Sequence, residues 1–262
     1  MPTLMPLTAR SIKRHYRAGT MVLETIVEVA SGSVRLLDFM SPQTGTSDVY
    51  RLIEGISGEV HVRSELIIRF DYGALLPWLQ RTDRGIRAVA GPDAIHCFSD
   101  VRQEIVGSAV VTEFRVRAGQ QTSFQLTWTE AHAPPPAERN VTQVLEDTQA
   151  WWTQWSQRCS YRGQWREDVV RSLITLKSLT YQPTGGIVAA ATTSLPEHIG
   201  GTRNWDYRYC WLRDSTFTLY CLLVGGYVEE ARAWRQWLVN AAAGDPAQLQ
   251  IMYGVAGGCS WR

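Results

Sequence analysis

Between residues 21 and 128 apolar and polar side chains alternate, and turn-forming residues interrupt the alternation at short intervals. Val60, Val62, Leu66, Ile68 and Phe70 share one parity, opposite His61, Arg63, Glu65 and Arg69. Val110, Thr112, Phe114 and Val116 repeat the arrangement against Glu113, Arg115 and Arg117, and Phe124, Leu126 and Trp128 continue it after Ala118-Gly119. Successive side chains of a strand point to opposite faces, so the pattern predicts antiparallel strands with one buried face, packed as a β-sandwich. Ser31-Gly32-Ser33 predicts a tight hairpin between two such strands.

Pro134-Pro135-Pro136 ends this grammar, because proline removes backbone donors and holds the chain extended. The predicted organisation is a sandwich domain over residues 12–131, a Pro-rich linker over 132–142 and a helical part over 143–262. Asn140, with Gln143 three residues on, is a capping pair for a helix to about residue 157, whose Trp151, Trp152 and Trp155 are expected to dock on the sandwich. Val169, Leu173, Leu176 and Leu179 recur at helical spacing within 164–181. Residues 212–224 are apolar on most sides and predict a helix buried all round, stopped by Gly225-Gly226. An amphipathic helix over 227–243 follows, with Tyr227, Ala231, Trp234, Leu238 and Ala241 on one stripe, and so short a connection predicts an antiparallel pair. Its Glu229-Glu230 are neighbours that do not face one another, and are expected on solvated helix surface.

Composition narrows the class. The 262 residues carry a formal net charge of +1, so there is no basic field for nucleic acid. No stretch approaches the ~20 consecutive apolar residues of a membrane helix, and the N-terminus lacks the apolar core and cleavage site of a secretory signal. Cys97, Cys159, Cys210, Cys221 and Cys259 are scattered without Cys-x-x-Cys spacing, which points to a reduced compartment; the expected location is the cytoplasm. Asn140-Val141-Thr142 is then an idle glycosylation sequon. Glu197 and His198 lack a third ligand at metal-binding spacing, and Gly185-Gly186 and Gly257-Gly258 lack the strand and helix context of a phosphate loop. No metal and no cofactor are expected.

The densest chemistry lies in residues 200–214. Trp211 and Tyr207 supply aromatic faces, which suit the C–H faces of a pyranose ring, and Arg213 and Asp214 supply the bidentate partners that its hydroxyl rim requires. The same residues also fit a plainer account. Adjacent Arg and Asp make an ordinary surface pair, Asp complements a helix N-terminus, and aromatics in a run form core.

The run Asp206-Tyr207-Arg208-Tyr209-Cys210-Trp211-Leu212-Arg213-Asp214 resembles a segment of glycoside hydrolase family 15, the family of glucoamylases, glucodextranases and some microbial trehalases. Leu179-Thr180-Tyr181, Thr184-Gly185-Gly186-Ile187-Val188-Ala189-Ala190, Thr192-Thr193-Ser194-Leu195-Pro196-Glu197 and Leu249-Gln250-Ile251-Met252-Tyr253-Gly254 are similar to its bacterial branch. Val22-Leu23-Glu24-Thr25, Val34-Arg35-Leu36-Leu37-Asp38-Phe39-Met40 and Arg69-Phe70-Asp71-Tyr72-Gly73 are similar to the trehalase-like N-terminal domain of that branch. The resemblance covers residues 16–254. It implies an antiparallel β-sandwich, here incomplete, followed by the first helices of an (α/α)6 toroid. It also implies inverting, exo-acting hydrolysis of α-glucosidic bonds in trehalose or a maltooligosaccharide. Carried over by position, Arg213 and Asp214 grip the terminal glucose while Trp211 and Tyr207 line its subsite. Inverting hydrolysis needs no cofactor, although calcium occurs in some members.

The family's general-acid and general-base glutamates lie farther along than this sequence runs, so no catalytic residue is assigned. The expectation is an internal piece of a longer protein, its tail from Gly257 to Arg262 read as a truncation or frame shift, able to hold sugar without cutting it. In an incomplete ring the helix over 212–224 would expose an apolar patch and the chain would aggregate or be bound by a chaperone. Two other readings stay open: a glycoside phosphorylase of similar architecture, and a noncatalytic sugar-binding or assembly module.

Overall fold

The computed structural model describes residues 3–5, 9–42, 46–192, 196–243, 247 and 249–257. The expectations placed on Thr193-Ser194-Leu195, on Gly258 and Cys259 and on the tail through Arg262 lie outside them, as does part of the opening segment. Two compact units are present, Met1–Trp152 and Thr153–Arg262.

The first unit holds β1 (Thr3–Met5), β2 (Ser11–Tyr16), β3 (Leu23–Val29), β4 (Gly32–Phe39), β5 (Ser47–Ile67), β6 (Trp78–Thr82), β7 (Gly85–Ala90), β8 (Asp93–Ser99), β9 (Glu104–Val106), β10 (Ala109–Arg117) and β11 (Gln121–Glu130). All pairings are antiparallel. The order β2-β3-β4-β5-β11-β8-β7-β6 forms one path, with β1, β9 and β10 reached through the second half of β5. The expected hairpin joins β3 to β4, with Val29 opposite Gly32.

β5 makes this a sandwich. Its first half pairs with β4 and β11, and its second half, from Glu59, pairs with β10. Between them the register with β4 slips, Val34 facing Gly55 and Ser33 facing Ser57, so Ile56 is an extra residue. Such a bulge bends a strand and sharpens its twist, which lets β5 pass from one layer to the other. Ile53 from one half and Val60 and Val62 from the other then meet in a single core with Val34, Leu36, Val116 and Phe124.

The layer of β3, β4 and β5 is buried on both faces. Leu36 and Ile53 point into the sandwich, while their neighbours Leu37 and Leu52 point away and pack with Val22, Phe39, Tyr50 and with Val141, Val144 and Leu145 of helix α1 (Val141–Gln157). Adjacent apolar pairs replace strict alternation here for that reason. The Asn140 side chain accepts a hydrogen bond from the Gln143 N–H at 3.2 Å, the predicted cap. Trp128 departs from its predicted buried face: it is exposed, with its indole N–H on Asp93 at 2.9 Å.

Gly58 sits where the bend brings backbones together. Its φ is +62°, and a Cβ there would lie 2.0 Å from the Ser31 carbonyl oxygen. Gly58→Ala combines left-handed strain with a backbone clash that no rotamer relieves, and is expected to destabilise the fold by about 2 to 4 kcal/mol. A urea midpoint unchanged from wild type would contradict this account of the bend.

The second unit holds α2 (Arg166–Ser178), β12 (Cys210–Trp211), α3 (Leu212–Val224), α4 (Val228–Ala241) and β13 (Met252–Tyr253), and α1 crosses the division between the units. The buried stripe of α2 is Val170, Leu173 and Ile174, turned slightly from the predicted one. Trp155, expected on the sandwich, instead stacks on Tyr227 at 4.1 Å within the second unit, where Tyr227 packs at the entrance to α4.

α3 has the predicted bounds but not the predicted burial. Only Ser215 and Leu222 are buried, while Phe217 is 71% and Tyr220 66% exposed, and Val224 is also open. α2 and α4 cover one side of α3, and no other described element packs closely against it apart from β12. The result is an exposed apolar face on α3, formed by Phe217, Tyr220, Leu223 and Val224.

Candidate functional site

β12 and β13 pair Cys210 with Tyr253 and Trp211 with Met252, and the Leu212 N–H donates to the Ile251 carbonyl at 3.2 Å. This short ladder fixes the chain at the entry to α3. Upstream, Ala189 and Ala190 N–H groups donate to the carbonyls of Tyr209 and Tyr207 at 3.1 and 2.7 Å. Residues 207–211 are thereby held on two sides by backbone bonds, and Ser215, one turn into α3, is buried with its hydroxyl toward the Ile187 carbonyl at 3.5 Å.

All four predicted residues come together here. Tyr207 and Trp211 are tilted rings with centroids 5.5 Å apart. The Arg213 guanidinium lies 5.8 Å from the Trp211 centroid, within cation–π range, and 3.3 Å from an Asp214 carboxylate oxygen. Arg213 and Asp214 are open to solvent, with side chains 67% and 39% exposed. Asp214 also stands in the first turn of α3, where the helix dipole favours an anion, so the plainer structural account of this residue is met as well. Trp211 is buried, its indole N–H donating to the Asp206 carbonyl at 2.9 Å.

Three further groups complete the cluster. Trp205 stands edge-on to Trp211 at 6.3 Å, and its indole N–H donates to Glu197 at 2.6 Å. Arg208 grips Asp206 with two guanidinium N–H groups at 3.0 and 2.6 Å, and the Arg208 backbone N–H adds a third bond at 3.0 Å. That guanidinium and N–H hold the Asp206 carboxyl below the usual carboxylate range despite partial burial. The Asp206 to Arg208 geometry is an Asx turn. An Asp two residues before a backbone donor in a loop is the sequence signal that would have marked it. The Cys210 thiol is buried beneath the run and pushed up to about 12 by desolvation, so it remains a neutral packing group.

Residues 163–259 match the family model described as glycosyl hydrolases family 15. The trehalase of Mycobacterium tuberculosis is 30% identical over an alignment of 275 positions, gaps included, that covers 93% of this chain and 40% of that protein. The trehalase of Thermoplasma acidophilum is 30% identical over an alignment of 238 positions, gaps included, that covers 84% of this chain and 39% of that protein. Over residues 163–259 the chain is similar to glycosyl hydrolase family 15. It spans about 40% of the length of the curated relatives it matches. A crystal structure of a bacterial glucoamylase complexed with acarbose shares the fold of this chain, with a TM-score of 0.66, 10% identity, and coverage of 97% of this chain and 44% of that one. The match spans nearly all of the chain, so sandwich and helices alike belong to an architecture already seen in a solved glucoamylase. The family match, by contrast, is confined to 163–259 and contains the whole aromatic cluster.

Proposed function

We propose that this chain supplies the glucose-holding part of an inverting, exo-acting α-glucoside hydrolase of the trehalase or glucoamylase type, its substrate trehalose or a maltooligosaccharide. The sandwich domain is residues 12–131, joined through 132–142 to the helical catalytic part, 143–262. Arg213 and Asp214 orient the terminal glucose through its hydroxyls, and Trp211 and Tyr207 wall the subsite. The supporting observation is the open Arg213–Asp214 pair beside the Trp205, Tyr207 and Trp211 rings, all anchored at the start of α3. A neutral polyol needs donors and acceptors in a fixed fork together with an apolar wall, and this cluster offers both.

Inversion requires two carboxyl groups ~6.5 to 9.5 Å apart, one protonated and one ionised. Neither role is assigned to a residue of this chain, so binding of glucose-containing sugars without release of glucose is the expected behaviour. Titration calorimetry of the 262-residue chain with trehalose and maltose tests it. Asp214→Ala is expected to weaken binding at least tenfold, the loss of a charge-assisted pair of hydrogen bonds. An Asp214→Ala chain with wild-type affinity would remove Asp214 from the site.

A further inference from the structure

A groove of about 400 Å³ in the first unit is lined by the turn between β6 and β7, by residues 99–103 and by Glu138. Ligand sites in proteins fall in this size range. It shares no residue with the aromatic cluster of the second unit.

The chemistry of the lining is balanced. Arg81, Arg84 and Arg102 are matched in number by Asp83, Asp100 and Glu138. A groove built for an anion carries an excess of guanidinium, whereas a neutral polyhydroxylated ligand needs donor and acceptor forks together. Part of the charge is committed locally: Arg102 pairs with Glu104 at 3.3 Å, and Asp100 accepts from the Ser123 N–H and hydroxyl at 2.7 and 2.6 Å. Arg81, Asp83, Arg84 and Glu138 stand exposed at the rim.

Gln103 adds an independent observation. It is only 7% exposed, and its Oε1 has no hydrogen-bond partner among the described residues. A buried amide oxygen without a donor is costly and calls for an explanation. This oxygen lies over Gly85, where a Cβ would be 3.3 Å away, and both residues line the groove. The oxygen carries no exposed surface, so a turn of the Gln103 side chain toward the groove is needed before a ligand hydroxyl supplies the missing donor.

We propose that this groove is a second saccharide site, which takes a neutral mono- or disaccharide. The sugar hydroxyls accept from Arg81 and Arg84 and donate to Asp83, Glu138 and the Gln103 amide oxygen. The proposal stands apart from the aromatic cluster and does not rest on the reading of that cluster.

Calorimetric titration of the full chain with maltose, and separately with inorganic phosphate, tests it. Arg81→Met leaves the buried core untouched, and Gln103→Leu removes the unmet oxygen. Each is expected to weaken one maltose-binding event about tenfold, and to leave unchanged any event that Asp214→Ala removes. Maltose binding identical in Arg81→Met and wild type would overturn the proposal, as would an Arg81-dependent heat seen with phosphate and absent with maltose. If the aromatic cluster binds no sugar, the groove event remains and still responds to Arg81→Met.

Discussion

Replacing Glu230 by alanine is expected to destabilise the second unit by about 3 to 5 kcal/mol, because it leaves buried donors and a partly buried cation without their anion. The Glu230 side chain is 5% exposed and accepts the Trp155 indole N–H at 2.7 Å, with Lys177 at 3.3 Å and Arg158 at 3.4 Å. One carboxylate therefore ties together the end of α1, the end of α2 and the start of α4. Trp155 also stacks on Tyr227, whose hydroxyl reaches back to the Trp155 carbonyl at 3.2 Å, so the charge and the ring hold one joint. Arg158 is 41% exposed and regains water when the anion is lost, so the lower end of the range applies if Lys177 also turns outward.

The same group sets a pH dependence. Burial pushes the Glu230 carboxyl up, but the Trp155 N–H and the charges of Lys177 and Arg158 outweigh it, and the net direction is below the usual value of 4.5. A carboxylate whose folded pKa is depressed contributes stability that is fully present above the unfolded value and is lost as pH falls through the folded one. The gap between wild type and Glu230→Gln is therefore expected to be constant above about pH 5 and to close below about pH 4.5. Urea midpoints across that range, followed by hydrogen exchange in α4, measure it. An alanine variant within 1 kcal/mol of wild type, or a gap that widens on acidification, would show that the joint does not depend on this charge.

Glu230 also shows where reading from sequence stops. Adjacent acids on an amphipathic helix look like solvent-facing surface, and Glu229 behaves that way, exposed and paired with Arg232 at 2.7 Å. Its neighbour is turned inward because Trp155 and Lys177, distant in sequence, are brought beneath it by packing that no local pattern encodes. The bounds of α3, by contrast, are written locally: apolar density starts them and Gly225-Gly226 ends them. Its burial is not, since burial depends on which elements cover it. In the first unit, strand parity was legible from Val60 to Phe70, whereas the Ile56 bulge that folds β5 over is a property of the pairing with β4. In the aromatic cluster, the four residues at 207, 211, 213 and 214 are near one another in sequence and were found together for that reason. The Asp206–Arg208 grip and the Trp205–Glu197 bond needed the loop to close first.

Asp48→Ala should be comparably severe in the first unit, at about 3 to 5 kcal/mol, since two fully buried hydroxyls lose their acceptor at once. Asp48 is buried and accepts from the Tyr50 hydroxyl at 3.0 Å and the Thr127 hydroxyl at 2.6 Å, with Thr46 as a third donor. Burial, and then the nearby carboxylate, pushes the Tyr50 hydroxyl well above its usual range, so it serves as a donor throughout the pH range of the folded protein. The network continues into the linker: Gln125 donates to Thr127 at 2.9 Å and to the Ala137 carbonyl at 3.1 Å, and its own oxygen accepts the Arg139 N–H at 2.9 Å. Asp48 thus reaches the Pro-rich segment through two side chains, and its loss is expected to speed exchange of the Arg139 amide as well as to lower the urea midpoint. A cycle with Tyr50→Phe separates the parts. If the Tyr50 hydroxyl is costly because it lacks an acceptor, Asp48→Ala will be milder by about 1 kcal/mol or more in the phenylalanine background. Strict additivity would mean that Asp48 acts through Thr127 and the linker alone.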